Sequence, residues 1–496
     1  MAELVVSTVN GPVRGQLRGG VSVWKGIPFA EPPVGALRFR PPRPAPSWTG
    51  ERDATRFASV AVQSRDPRAA TLSGLGPRVA MGEDCLALTV YSPAADDRRR
   101  PVVVWIHGGA FIMGSGSSPL YDGVGFAARH DVVVVTINYR LGLLGFLYLG
   151  DIAGEEYAQG NVALLDQIAA LAWVRENIAA FGGDPDAVTV MGQSAGAISI
   201  ATLLGMPAAR GTFQRAILQS GASGPVVHGR ADATKLAREA LAALDIDDAH
   251  TERLAEVPLE RLMDVQEELS RRHGLAVFAP YIDEVSLPEA PLEAVRAGRA
   301  AQVPLLLGST RDEWALFDVF LGGAATEEVV VRLRERLGGA LDPIHAVYQE
   351  SREDRSPAGA WIDLVGDLAF RMPIERLAEA QSARAPVWLY RFDWATPAFE
   401  GRLGAAHALD LPFMWSAIDL PFSQFLLGGD VEGARPLAAQ MHDSWAAFIR
   451  TGDPGGAGLP DWPRYDPDRR ATMLLDRNAR VVDGPDPARR AVWPPG

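Results

Sequence analysis

Val188-Thr189-Val190-Met191-Gly192-Gln193-Ser194-Ala195-Gly196-Ala197 joins a short β-branched apolar run to the helical run 197–204. A strand, a tight turn centred on serine and then a helix form the setting of a nucleophile elbow. Such a turn holds Ser194 in a constrained backbone geometry. Glycine at 192 and 196 removes side chains that would meet the neighbouring strand and helix. The serine oxygen then projects at the carboxyl end of the strand, where open α/β sheets place ligands. Serine ahead of a helix is also a common N-cap, and a five-residue match arises by chance, so the flanks carry the weight.

Further strands are read in Val102-Val103-Val104-Trp105-Ile106, 132–137, Ala216-Ile217-Leu218, 303–307 and Val387-Trp388-Leu389-Tyr390. Each is apolar without alternation, as for a strand covered on both faces. Between them, 162–180 reads as a helix with Leu164, Ile168, Leu171, Val174 and Ile178 on one face. Phe181-Gly182-Gly183 should end it and Asp184-Pro185 should turn. Strand, helix and strand in alternation predict a large, mostly parallel, twisted sheet with right-handed crossovers and covering helices. Val5-Val6, the stretch 11–15 and Val21-Ser22-Val23-Trp24 predict a small N-terminal antiparallel sheet. Residues 28–50 read as a Pro-rich loop, 230–272 and 324–380 as helical insertions, and 451–456 as a surface loop. No repeat and no interdomain linker is evident, so 1–496 is expected to be one domain.

The 496 residues are 47% hydrophobic and 22% charged, which excludes a mostly disordered chain. The net charge of −13 repels a phosphate backbone and argues against nucleic-acid binding. Apolar runs are too short to span a bilayer. The start Met1-Ala2-Glu3-Leu4-Val5-Val6 has no basic region or long apolar stretch, so a cytoplasmic protein without a secretory signal is expected. One cysteine, Cys85, rules out an intramolecular disulfide and cysteine-based zinc clusters.

A second element, His107-Gly108-Gly109-Ala110-Phe111, directly follows the strand ending at Ile106. Glycines there let backbone amides converge on a developing oxyanion, each donor lowering the barrier by about 3 kcal/mol. The donors expected are the amides of Gly109, Ala110 and Ala195. Gly-Gly after a strand is also an ordinary turn. Serine needs a base, and the order should be serine, acid, histidine. Of eight histidines, His107 reads as loop-shaping and His130 precedes the nucleophile. His228, His250, His273 and His345 follow no late strand, and His442 lies in an amphipathic helix with Trp445 and Phe448. His407, in His407-Ala408-Leu409-Asp410-Leu411-Pro412-Phe413, fits best. For the acid, Asp312 and Glu313 in Gly308-Ser309-Thr310-Arg311-Asp312-Glu313 are equally placed, and either could instead be a loop carboxylate paired with Arg311.

This combination resembles the type-B carboxylesterase family of α/β-hydrolases, which includes bacterial para-nitrobenzyl esterases and animal cholinesterases. The likeness extends to Lys25-Gly26-Ile27-Pro28-Phe29-Ala30, Pro32-Pro33-Val34-Gly35, Arg38-Phe39, Gly82-Glu83-Asp84-Cys85-Leu86, Phe181-Gly182-Gly183-Asp184-Pro185 and Trp462-Pro463-Arg464-Tyr465. It implies an α/β-hydrolase fold, Glu313 as the acid, His407 as the base, and oxyanion amides at Gly109, Ala110 and Ala195. Gln193 stands where many relatives have glutamate. Trp314 replaces the glycine usual after the acid, placing a large ring where the pocket would narrow. Cys85 matches a cysteine that animal relatives bridge to an earlier one. The partner position here falls near Ala61, so that crosslink is absent and the Arg-, Gly- and Ser-rich loop 61–85 is expected to gate the pocket.

The expectation is a serine ester hydrolase acting on small to medium, largely apolar esters, needing no metal or organic cofactor; the sequence does not fix the oligomeric state, and a monomer is favoured. Phe111, Phe278, Trp314 and Phe413 are candidates for the pocket lining, with core packing as the equal alternative for each. Competing readings are the same triad acting on carbamates, amides, thioesters or aromatic polyesters, or a non-catalytic binding protein on this scaffold.

Overall fold

The computed structural model describes residues 4–493 except 65–78, 225–226, 275, 352–356 and 457. The chain divides into two compact units: Met1–Ile217 with Pro225–Ala301, and Leu218–Gly224 with Gln302–Gly496.

The first unit holds β1 (Val5–Thr8), β2 (Gly11–Arg14), β3 (Gln16–Arg18), β4 (Val21–Pro28), β5 (Arg52–Asp53), β6 (Ala87–Ser92), β7 (Arg100–Ile106), β8 (Val133–Ile137) and β9 (Gly183–Gln193). A further strand, β10 (Arg215–Gln219), runs on into the second unit. β1, β2 and β5 form a small sheet, with Val6 opposite Val13. It is not wholly antiparallel, because β5 pairs parallel to β2. Val21–Pro28 leaves that sheet and joins the large one, antiparallel to both β3 and β6. In the large sheet β7 lies between β8 and β9 and is parallel to both. Val102, Val103, Val104, Trp105 and Ile106 are fully buried, as the unbroken apolar run requires.

The helix read at 162–180 is Val162–Asn177 followed by one tighter turn, Ile178–Phe181, and Gly182 at φ 80° closes it. Because Gly182 alone reverses the chain, no second turn is needed. Asp184 and Pro185 are extended residues inside β9, not the turn expected. The stretch 230–272 contains helices Arg230–Ala243 and Leu259–His273.

In the second unit β11 (Leu305–Thr310), β12 (Val387–Phe392) and β13 (Ala471–Leu475) are parallel neighbours, and β14 (Arg480–Asp483) is antiparallel to β13. β11 starts two residues later than the apolar run suggests, since Pro304 has no N–H for the ladder. Helices Gly323–Leu337, Leu341–Glu350, Pro357–Gly366 and Met372–Ser382 fill the stretch read as helical, with a π turn at Asp367–Arg371. No helix among the described residues is long and apolar enough to cross a membrane.

A buried ion pair braces the first unit. Arg140 grips Asp166 of helix Val162–Asn177 with Nε to Oδ2 at 2.8 Å and Nη2 to Oδ1 at 2.7 Å, while its own N–H donates to Oδ2 at 3.0 Å. The side chains are 4% and 0% exposed. Removing one partner strands the other charge out of water, so R140M should cost about 3–5 kcal/mol in urea unfolding. The apolar double variant R140M/D166L should cost clearly less; an equal or larger loss would contradict this.

Candidate active site

In the first unit β9 ends at Gln193 and helix Ala195–Gly205 begins two residues later. Between them Ser194 sits at φ 55°, ψ −124°, a conformation that L side chains rarely adopt. Its hydroxyl makes no capping bond to the helix, so the N-cap alternative does not describe it. The flanking glycines are required by contact. A Cβ on Gly196 would lie 2.0 Å from the Ile106 carbonyl oxygen, and one on Gly192 would lie 2.7 Å from the Gly196 carbonyl carbon. The end of β7, the elbow and the first helical turn therefore pack backbone on backbone. The N–H of Ala195 lies in that first turn, where amides have no partner within the helix.

The loop after β7 presses on the same elbow. A Cβ on Gly108 would meet the Gln193 carbonyl oxygen at 2.6 Å and the Ser194 Cβ at 3.2 Å. Gly109, Ala110 and Phe111 follow with φ of 118°, 52° and 62°. The Gly109 carbonyl accepts the N–H groups of Ile112 and Met113, both at 3.0 Å, folding the loop into a compact turn. His107 shapes it from beneath. Its ring stacks on Tyr139 at 4.4 Å, its Nδ1–H donates to the Gly108 carbonyl at 2.8 Å, and the Tyr139 hydroxyl donates to the His107 carbonyl at 2.7 Å. Burial lowers the His107 pKa to about 4, keeping the ring neutral. Phe111 is buried edge-on against Phe146 at 5.0 Å, and Phe278 is fully buried.

In the second unit Glu313 follows β11 and His407 lies in the loop after β12. The His407 Nδ1–H donates to Glu313 Oε2 at 2.6 Å, and Glu313 Oε1 accepts the Thr310 N–H at 2.8 Å. The acid is thus fixed through both oxygens, with the pair 3% and 5% exposed. The bond through Nδ1 fixes the tautomer of the neutral ring. Asp312 does something else. Its Oδ2 accepts the Ala405 N–H at 2.8 Å and faces the Arg311 guanidinium at 2.9 Å, tying down the segment ahead of His407.

Aromatic rings that the sequence did not single out cover the imidazole. Phe370, in the π turn, lies 4.6 Å from His407, and Phe317 lies 5.3 Å away. Trp314 packs tilted against Phe317 at 4.7 Å, while its Nε1–H donates to Thr326 at 3.2 Å. Phe413 is fully buried between Phe392 and Trp394, the core-packing alternative. His442 is buried, with Nδ1 bonded to the Met414 carbonyl at 2.7 Å. His228, His250 and His273 are engaged by Ala276, Asp247 and Glu239, and His345 stacks on Trp361. Among the described residues no cluster of three His, Cys, Asp or Glu side chains could hold a metal ion.

Asp410 is a further buried acid that the sequence reading passed over. Its Oδ2 accepts from Gln219 Nε2 at 2.8 Å and from the Tyr390 hydroxyl at 3.1 Å. Burial raises its pKa to about 6, with the Gln219 bond opposing and the Glu313 charge adding to the rise. An unfolded aspartate ionises near about 3.9. Between those values the unfolded chain holds fewer protons, so stability falls as pH rises. The cost, roughly 3 kcal/mol at full ionisation, is absent below about pH 4. D410N cannot ionise and should gain on the wild type by about that amount between about pH 4 and 7 in urea unfolding; parallel pH profiles would contradict this. At the elbow, S194G should relieve strain and raise stability by about 1 kcal/mol, net of the entropy glycine adds to the unfolded chain. A lower unfolding midpoint would count against strain at Ser194.

The carboxylesterase family model matches residues 2–493. The para-nitrobenzyl esterase of Bacillus subtilis is 40% identical over 99% of this chain and 98% of its own length. The phenmedipham hydrolase of Pseudarthrobacter oxydans is 37% identical over 96% of each. A crystal structure of a Geobacillus stearothermophilus carboxylesterase superposes with a TM-score of 0.89 at 41% identity, covering 99% of this chain and all of that one. The fold is the α/β-hydrolase fold expected from the sequence, and the chain belongs to the carboxylesterase family of ester-hydrolysing enzymes.

Proposed function

We propose that Ser194, His407 and Glu313 act as one catalytic triad that cleaves carboxylic esters through an acyl-enzyme. The observation that carries this reading is the backbone of Ser194, held at positive φ with its hydroxyl unused as a cap. A merely structural serine gains nothing from such strain. The buried 2.6 Å bond between His407 and Glu313 supplies an oriented base of the kind serine needs.

In this mechanism His407 Nε2 takes the Ser194 proton as the oxygen attacks the ester carbonyl. Glu313 holds the ring and stabilises the imidazolium. The amides of Gly109, Ala110 and Ala195 receive the oxyanion. His407 then protonates the departing alcohol, and the acyl group stays on Ser194. Water, giving its proton to His407, attacks the acyl-enzyme and releases the acid. Preferred substrates are small to medium, largely apolar esters, in keeping with the para-nitrobenzyl esterase relative and with the aromatic rings packed beside His407.

A fluorophosphonate should label one serine per chain, Ser194, and para-nitrophenyl butyrate should be hydrolysed far faster than the matched anilide. S194A and H407A should each lower kcat by roughly four orders of magnitude or more. Near-normal turnover in H407A together with loss in H442A would overturn the choice of base.

A further inference from the structure

We infer that Gln63 is a positioning residue for the oxyanion loop, its side-chain amide gripping both backbone groups of Gly114. The inference rests on the proposed function, in which that loop receives the oxyanion. Gln63 is buried, and its amide closes two bonds to one residue. The Gly114 N–H donates to Oε1 at 2.8 Å, and Nε2 donates to the Gly114 carbonyl at 3.0 Å. Nε2 also donates to the Ala61 carbonyl at 3.0 Å, so both ends of the amide are engaged. A side chain fifty-one positions upstream thus pairs with Gly114 as a neighbouring strand would.

Gly114 passes that grip directly to the loop. It sits at φ 109°, and a Cβ there would lie 2.4 Å from the Gly108 carbonyl oxygen and 2.5 Å from His107 Nδ1. A Cβ on Gly109 would lie 2.1 Å from the Met113 carbonyl oxygen. The turn has no slack, and displacing Gly114 displaces the peptides at 108 and 109. The next residues are held by another amide: Asn138 Oδ1 accepts the Gly116 N–H at 2.9 Å and the Ser115 hydroxyl at 3.0 Å.

Gln63 stands beside a segment whose base is joined by backbone bonds, the single cysteine, Cys85, being free and buried. Val60 N–H donates to the Ala80 carbonyl at 2.9 Å, and Gly82 N–H to the Val60 carbonyl at 3.0 Å. These bonds fix where Gln63 starts, and its amide carries that position to the loop. Residues 65–78, which hold most of the expected gate, lie outside the described residues.

The test compares wild type with Q63M, which keeps length and volume but bonds neither group, and Q63E, which turns the donor into an oxygen facing the Gly114 carbonyl. Active sites are counted by fluorophosphonate titration, so misfolded protein drops out. With para-nitrophenyl butyrate, kcat per titrated site should fall about 10- to 100-fold in both variants with KM within about threefold. Affinity for a trifluoromethyl ketone, whose serine adduct places an oxyanion in the loop, should fall by the same factor as kcat/KM. Amide exchange over 107–116 should quicken while that of β7 does not. A kcat per site within about threefold of wild type, or ketone affinity unchanged while kcat falls, overturns the role of Gln63. If Q63M fails to fold, the same readouts on Q63E decide. Wild-type protein that labels at no serine would overturn the site itself, and the exchange measurement would still decide whether the grip exists.

Discussion

The site depends on a missing carbon atom. At position 196 any side chain would start 2.0 Å from the Ile106 carbonyl oxygen, so only glycine lets the elbow helix seat on the end of β7. That seating brings the loop at Gly108 against Ser194 and forces the serine to a positive φ. Residues out of the favoured regions cost about 1–3 kcal/mol each and persist only where their surroundings over-determine them. Here the surroundings are β8 and the carboxyl ends of β7 and β9, buried on both faces and unable to yield. The strain sits at Ser194 because the rigid part of the sheet ends there.

Several polar groups around the site are buried and held at defined atoms. His107, kept neutral by burial, donates to a loop carbonyl. Glu313 is held at both oxygens, Asp312 is spent on the approach to His407, and Asp410 is held at one oxygen by Gln219 and Tyr390. Neighbouring acids thus take different tasks through different hydrogen-bond partners. In a low dielectric an unheld polar group is costly, and a held one defines a single geometry.

The strand, turn and helix around Ser194 were legible in the sequence. The elbow and the loop after β7 are each contiguous motifs, although their glycines answer to distant residues, Gly196 to Ile106 and Gly108 to Gln193. Asp312 and Glu313 could not be separated from spacing, because both follow β11 and the difference lies in which one turns toward residue 405, nearly a hundred positions away. Only the family resemblance pointed to Glu313. β6 escaped notice because Thr89 and Ser92 dilute a short strand whose two partners are both distant in sequence. Phe317 and Phe370 were missed for a related reason: a π turn, which has no residue signature, brings Phe370 to His407. Gln63 is a lone polar residue in a loop, and nothing in the chain order pairs it with Gly114.

The most direct test of the central claim is a crystal structure of the protein after reaction with a fluorophosphonate. The phosphorus should be bonded to Ser194 Oγ, with its oxygen about 3 Å from the amides of Gly109, Ala110 and Ala195. His407 Nε2 should lie within hydrogen-bond distance of that serine oxygen, its Nδ1 still on Glu313. An adduct on another residue, or an imidazole out of reach of the labelled serine, would contradict the proposed triad.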